Sequence, residues 1–277
     1  MDRYQATVLG ESSLISYYTF DDGDARDARN AHPGTVANSA TYEAGYGGVT
    51  NLALILDGTG HVDLGYVPEF EFGGGSGTVE GWIRADWPQG AAGYNPCLFA
   101  ARDGGSDWSV HMEQWSHQVG NFSSGFQMLS TPYSSGWHYY AIVFDAGFVS
   151  MYWDGQPLGA FAQTINFLSK PTQLGSSTPT ATTEGWIGGL DEVAFYSTAL
   201  GADTIWNHFL AMVGPPSLSC SLAGTQLTLA WPEEATGFTL EYAESLPAAS
   251  WTTVTNVVNN QVTVDTSAGR RFFRLRK

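Results

Sequence analysis

The chain predicts an all-β protein, and three observations carry that expectation. Short segments of mostly period-two character recur along it: Leu52–Leu56, Val79–Arg84, Leu98–Arg102, Trp108–Glu113, Gly125–Leu129, His138–Phe144, Phe148–Trp153 and Val193–Tyr196. Turn signals such as Asp57-Gly58, Asp103-Gly104-Gly105 and Asp154-Gly155 separate them, the last reading as a tight hairpin. Ten Trp, 13 Tyr and 15 Phe stand beside 33 Gly, a composition that suits strands joined by turns better than helical bundles.

Each segment fits that scheme except one. "GADTIWNHFLAMV", residues 201 to 213, spaces Ile205, Trp206 and Phe209 as a helix does, so a short helix is expected to close a first domain over residues 1–213. "GPPS" then reads as a linker, because consecutive prolines cannot continue a helix. Five further strand candidates, "TQLTLAW", "GFTLEYAESL", "SWTTVTNVV", "QVTVDT" and "RFFRLRK", follow within about sixty residues. They predict a small Ig-like or fibronectin-like sandwich over residues 214–277.

Charge narrows the choice of partner. The net charge is −16, yet residues 1–212 hold 22 acids against six Lys/Arg, whereas residues 213–277 hold five of each, with all five bases in the last eight positions. Such an acidic first domain repels phosphate backbones and anionic membranes, so nucleic acid is not an expected partner. No run approaches the ~18 apolar residues of a membrane span, and "MDRYQATVLG" lacks the basic and apolar regions of a signal peptide. The two cysteines, Cys97 and Cys220, fall in different domains, which argues against a structural disulfide.

Several segments carry a family likeness. In order, "YYTFDDGDARDARNAHPGTV", "LILDGTGHVDLG", "GTVEGWIRAD", "GWHYYAIVFDAGFVSMYWDGQPLGAF" and "IGGLDEVAFYSTALGADTI" resemble the concanavalin A-like, laminin G-like domains common in bacterial secreted proteins. The resemblance covers about residues 4 to 212 and implies a jelly-roll sandwich of two antiparallel sheets. The tail, through "TLAW", "GFTLEYAESL" and "FFRLRK", looks like small β modules that end many exported bacterial proteins, which implies an accessory or sorting role. Together these imply a secreted or cell-surface setting, with a signal removed or the chain a piece of something longer.

The stretch "FDDGDARDARNAHPG" invites a metal, since calcium takes roughly 6–8 oxygen ligands from carboxylates and carbonyls. An EF-hand is excluded, because Arg26 and Asp27 fall where a ligand and the glycine belong. The resemblance implies one structural calcium between the early acidic loop and the late "LDEV" strand, with Asp21, Asp27, Asn30 and Asp191 as ligands. Arg26 and Arg29 depart from the family pattern and could neutralise the same carboxylates. The alternative for the loop is a solvated surface turn. Asp57, Asp103 and Asp154, each before glycine, read as turn residues.

Trp82, Trp153 and Trp186 sit in strand patterns and are expected in the core. Trp87, Tyr94, Trp108 and Trp115 lie in or beside polar, Gly-rich turns, where an exposed ring can stack on a sugar, so they are the candidate ligand-binding residues, Trp87 and Trp115 first. The histidines show no zinc spacing and read as structural.

Catalytic constellations are missing from the sequence. There is no Glu-x-Asp-x-x-Glu strand for a retaining glycosidase, and on a regular strand the neighbours Asp191 and Glu192 point to opposite faces. "HMEQWSHQ" holds the letters of a lyase site but not their arrangement, and neither a Gly-x-Ser-x-Gly elbow nor a phosphate-binding Gly-Lys-Ser/Thr loop is present. The expected function is a non-catalytic recognition or adhesion module whose first ligand class is glycan, with other protein domains as further partners. The alternatives are a polysaccharide-active hydrolase or lyase with an atypical site, and a structural spacer or assembly domain.

Overall fold

The computed structural model describes residues 3–276 apart from 88–95, 103–107, 114–115, 122–124, 131–134, 164–168, 179–183, 233–234 and 236–237. Its contacts divide the chain into Met1–Val213 and Gly214–Lys277.

The first unit is a sandwich of two antiparallel sheets. The larger orders its strands Gln156–Ala162, Phe148–Trp153, Trp137–Asp145, Ser76–Ala85, Ile187–Tyr196, Gly48–Asp57 and Ala40–Gly45, and Leu14–Tyr18 also pairs with Ile187–Tyr196. The smaller runs Gly125–Ser130, Ser116–Asn121, Trp108–Glu113, Cys97–Ala101, Thr172–Leu174, His61–Gly65 and Thr35–Ala37. All the alternating segments of the sequence lie on these strands. Val79 and Ile83 from the larger sheet meet Val62, Phe99, Val110 and Leu174 from the smaller in one core, all at most 1% exposed. At about 1.5–3 kcal/mol per fully buried aliphatic or Phe side chain, this alternation is what fixes the register.

The turns follow their residues. Asp154 and Gly155 both take positive φ, 48° and 74°, the backbone that a two-residue hairpin demands. Asp57 accepts from the Thr59 backbone and hydroxyl, at 2.9 and 2.7 Å. Those bonds, the Thr59 side chain first, hold its carboxyl down at about 2. Asp103 lies outside the described residues.

Two helices cover the outer face of the larger sheet. Ala202–Val213 buries Ile205, Trp206, His208 and Phe209, as its spacing predicts. Arg3–Leu9 is a helix the sequence did not announce; it has two buried residues, Tyr4 and Val8, and no acid in its first turn or base in its last. Tyr4 and Phe209 both pack on Trp82, with ring centres 6.4 and 6.0 Å away.

The second unit consists of two three-stranded antiparallel sheets. Ser219–Ala223, Gln226–Ala230 and Gln261–Asp265 form one; Thr252–Thr253, Thr239–Ala243 and Phe272–Arg276 form the other. Leu229, Trp231, Leu240 and Val262 make a small core of their own. Both cysteines are free, Cys97 buried and Cys220 exposed.

Candidate functional sites

The early acidic loop divides its carboxylates between two tasks. Asp27 is fully buried and accepts from the backbone N–H groups of Tyr17, Arg29, Ala31 and His32 at 2.9 to 3.0 Å. Burial pushes its carboxyl up, but these four donors prevail and hold it below the usual carboxylate range. A carboxylate offers about four lone-pair positions, and here all are used. Asp27 is therefore the knot of the loop, which corrects its expected place among the metal ligands. Asn30 is exposed at φ 57° and serves the same turn, donating its N–H to the Asp27 carbonyl at 2.8 Å.

Arg26 bridges Asp22 and Asp24, each at 3.0 Å, with all three side chains about half-exposed or more open. Pairs of that kind contribute little in water. The hollow of about 240 Å³ beside them, lined by Thr19, Asp22, Asp24, Arg26 and Asn30 among others, is a solvated pocket of paired charges.

Asp21 belongs elsewhere. Its Oδ1 accepts from Leu52 N at 2.9 Å, and its Oδ2 from Gln5 Nε2 at 2.6 Å. The same Gln5 amide reaches Glu192 Oε1 at 3.3 Å, and the Tyr17 hydroxyl donates to the other oxygen of Glu192. Glu192 has φ 54°, and the pairing of its strand shifts between Asp191 and Ala194. This bulge overturns the simple alternation expected of Asp191 and Glu192 and brings both into one seam with Asp21.

Asp191 is the unfinished member of that seam. It is 0% exposed; its Oδ2 accepts from Asn51 Nδ2 at 2.8 Å, while its Oδ1 is buried without a partner. Asn51 Nδ2 also donates to Tyr46 O at 2.8 Å, which fixes the amide orientation and leaves Asn51 Oδ1 buried and unpartnered as well. Gly45 is required here, because a Cβ at that position would collide with Asp191 Oδ2. Burial first, then the charges of Glu192 and Asp21, push the Asp191 carboxyl well above its ordinary value. Two orphaned oxygens beside three acids are chemistry that a hard cation satisfies. Among the described residues, however, no three Asp, Glu, His or Cys side chains converge closely enough to hold a metal by themselves. The fit depends on Asn51 Oδ1 alongside Asp191, with Asp21 already bonded to Gln5 and Leu52.

The expected ring platform fares differently. Trp87 is 5% exposed and meets Trp186 edge-on at 4.8 Å, so its face is spent in the core and cannot stack on a sugar. Tyr94 and Trp115 lie outside the described residues. Trp108 opens the strand Trp108–Glu113, and its side chain is likewise outside them. Trp82, Trp153 and Trp186 are buried at 1, 2 and 0%.

A second polar place has no motif in the sequence. Registers across the smaller sheet align Asp63, Gln173, Ala100 and Ser109 in one row, on the face opposite the core residues Val62, Leu174, Phe99 and Val110. Gln173 is 0% exposed, and both its Oε1 and Nε2 are buried without a partner. Ser109 Oγ bonds His111 Nε2 at 2.9 Å, and Arg102 meets Glu184 at 3.5 Å. Each unmet buried polar atom costs about 1–3 kcal/mol, so an amide left open at both ends is an expensive feature.

A family model for the concanavalin A-like lectin/glucanases superfamily matches residues 56–206. No curated protein matches the chain. Among solved structures, it is similar to domain 4 of AbnA, a GH43 extracellular arabinanase from Geobacillus stearothermophilus, solved with arabinotriose: 19% identity, 71% of this chain and 98% of that one, TM-score 0.56. It is also similar to botulinum neurotoxin type C, whose cell entry depends on two ganglioside molecules: 12% identity, 92% of this chain but only 64% of that one, TM-score 0.59. A third is the binding domain of botulinum neurotoxin DC in complex with rat synaptotagmin II: 12% identity, 91% and 73% covered, TM-score 0.56. At these identities the likeness is one of fold.

Proposed function

The chain belongs to the concanavalin A-like lectin/glucanase superfamily, and on that premise we propose that it is a non-catalytic glycan-recognition or adhesion module of an exported bacterial protein. The support for this reading is the lectin/glucanase family match over residues 56–206 of a two-sheet sandwich. Fold alone does not select this function; the AbnA domain solved with arabinotriose and the ganglioside-dependent neurotoxin show only that the architecture accommodates sugar partners.

A structural calcium is part of the proposal, held by Asp191 and Asn51 with the charges of Asp21 and Glu192 nearby. When bound, the ion supplies positive charge to a seam whose own donors include Gln5, Tyr17, Asn51 and the Leu52 N–H.

A glycan array on the full chain, with and without EDTA, is the test. Saturable binding to neutral glycans is the expected result. Release of reducing ends from a bound glycan would replace the module with an enzyme. Silence across the array would sink glycan recognition altogether.

A further inference from the structure

The second unit concentrates its positive charge along one open strand. Phe272–Arg276 pairs only with Thr239–Ala243, so among the described residues its other edge has no strand beside it. Phe273 and Leu275 pack on the small core, which sends Phe272, Arg274 and Arg276 to the opposite face. There a single carboxylate serves two guanidinium groups. Arg274 meets Glu241 at 2.7 Å, while Arg276 approaches the same residue only to 3.5 Å and keeps 65% of its side chain exposed. Arg274 also lies 4.1 Å over the Trp251 ring, and Arg270 lies 5.6 Å over Phe272. Stacking and pairing pre-set the Arg274 guanidinium plane, so little of its side-chain freedom remains to be lost on binding.

We propose that this edge docks an extended acidic segment of a partner protein, which adds a strand beside Phe272–Arg276 and places its carboxylates on Arg276 and Arg274. Three arginines against one glutamate give the charge complementarity. The free backbone edge favours a peptide over an anionic polysaccharide, because only a peptide can use its N–H and C=O groups. This surface belongs to the second unit, and the inference stands without the glycan reading.

The probe is a fluorescent eight-residue peptide of alternating Val and Glu, titrated into the full chain by anisotropy at low and high salt. Expected are salt-sensitive binding, no binding of the Val/Lys counterpart, and loss when alternate peptide amides are N-methylated. Arg276→Glu, at an exposed position that the fold tolerates, should weaken binding at least tenfold with an unchanged melt, and Arg270→Glu should weaken it less. Arg274 is avoided because its loss strands Glu241. No binding, an inert Arg276→Glu, or N-methylated peptide or polygalacturonate binding as well as the parent would each overturn strand addition.

Discussion

Glu80 and Asp191 sit on the same outer face of the larger sheet, both at 0% exposure, and they have met opposite fates. Glu80 accepts from Tyr139 Oη at 2.6 Å, from Tyr196 Oη at 2.7 Å, and from His208 Nδ1 at 2.9 Å. Burial alone would push its carboxyl up, yet the His208 charge and these bonds hold it below the usual range. Asp191 keeps one oxygen without a partner and has two acidic neighbours, and its carboxyl is driven up. Equal burial therefore does not make equal sites. A carboxylate with a complete set of partners is architecture; one lacking a partner marks a place for a proton or a cation.

The sharpest way to break the comparison is to remove Glu80. Glu80→Ala leaves His208 with Glu11 alone, 3.4 Å away, and two unpaired phenols, so chemical denaturation should show a loss of about 3–5 kcal/mol. A loss under about 1 kcal/mol would mean the cluster is not the clamp that holds helix Ala202–Val213 to the sheet.

Raising the pH probes the same pair from the other side. Burial lowers the affinity of His208 for its proton, but Glu80 and then Glu11 prevail and raise its pKa to about 9. A raised value means the stabilisation is complete below the unfolded pKa near 6.5 and fades as pH climbs through about 9, by on the order of 3 kcal/mol. Melts at pH 7 and pH 10 should differ accordingly, and His208→Gln should remove most of the difference. Equal slopes in both proteins would refute the assignment.

Calcium tests the other member of the pair. An ion that binds only the folded state at a hundredfold excess over its Kd adds about 2.7 kcal/mol, so the melt should rise with millimolar Ca²⁺ and Asp191→Asn should abolish the rise. Without calcium the sign is fixed by the raised carboxyl: its contribution is greatest below the unfolded value near 3.9 and declines as pH rises toward the folded one. Asp191→Asn, neutral at every pH, should flatten that decline. A melt indifferent to calcium would return the seam to plain architecture. The smallest effect belongs to the exposed loop: Arg26→Ala should shift stability by about 0.5 kcal/mol or less, and a larger change would show that its pairs with Asp22 and Asp24 order the turn.

Much of the fold was legible because side-chain alternation and turn chemistry are local. "HYYAIVFD" is a β-rich apolar run that becomes a strand buried on both faces, Asp154-Gly155 turns, and both do in the structure what their neighbours in sequence dictate. Helix Arg3–Leu9 was not legible, since seven residues without a charged cap are helical only through what Tyr4 and Val8 cover. Of the expected ligand set, Asp21 and Asp191 come to one seam, while Asp27 was indistinguishable from them by residue type. Four backbone donors, invisible in the letters, separate it. Trp87 misled for a related reason: a polar, glycine-rich neighbourhood in sequence says nothing about which ring lies across from it in space.

The sequence by itself determined the strands, their turns, the helix after residue 201 and the acidic balance of the first unit, because each follows from periods of two or 3.6 residues or from simple addition of charge. Only the tertiary structure decided which polar groups were satisfied. Neither Glu80 in "TVEGW" nor Gln173 in "TQL" stands out in the letters; long-range packing gave the first three donors and the second none. Hydrogen-bond satisfaction depends on partners tens to well over a hundred residues away, as the spacings of Glu80 from Tyr139, Tyr196 and His208 show, and no local pattern encodes it.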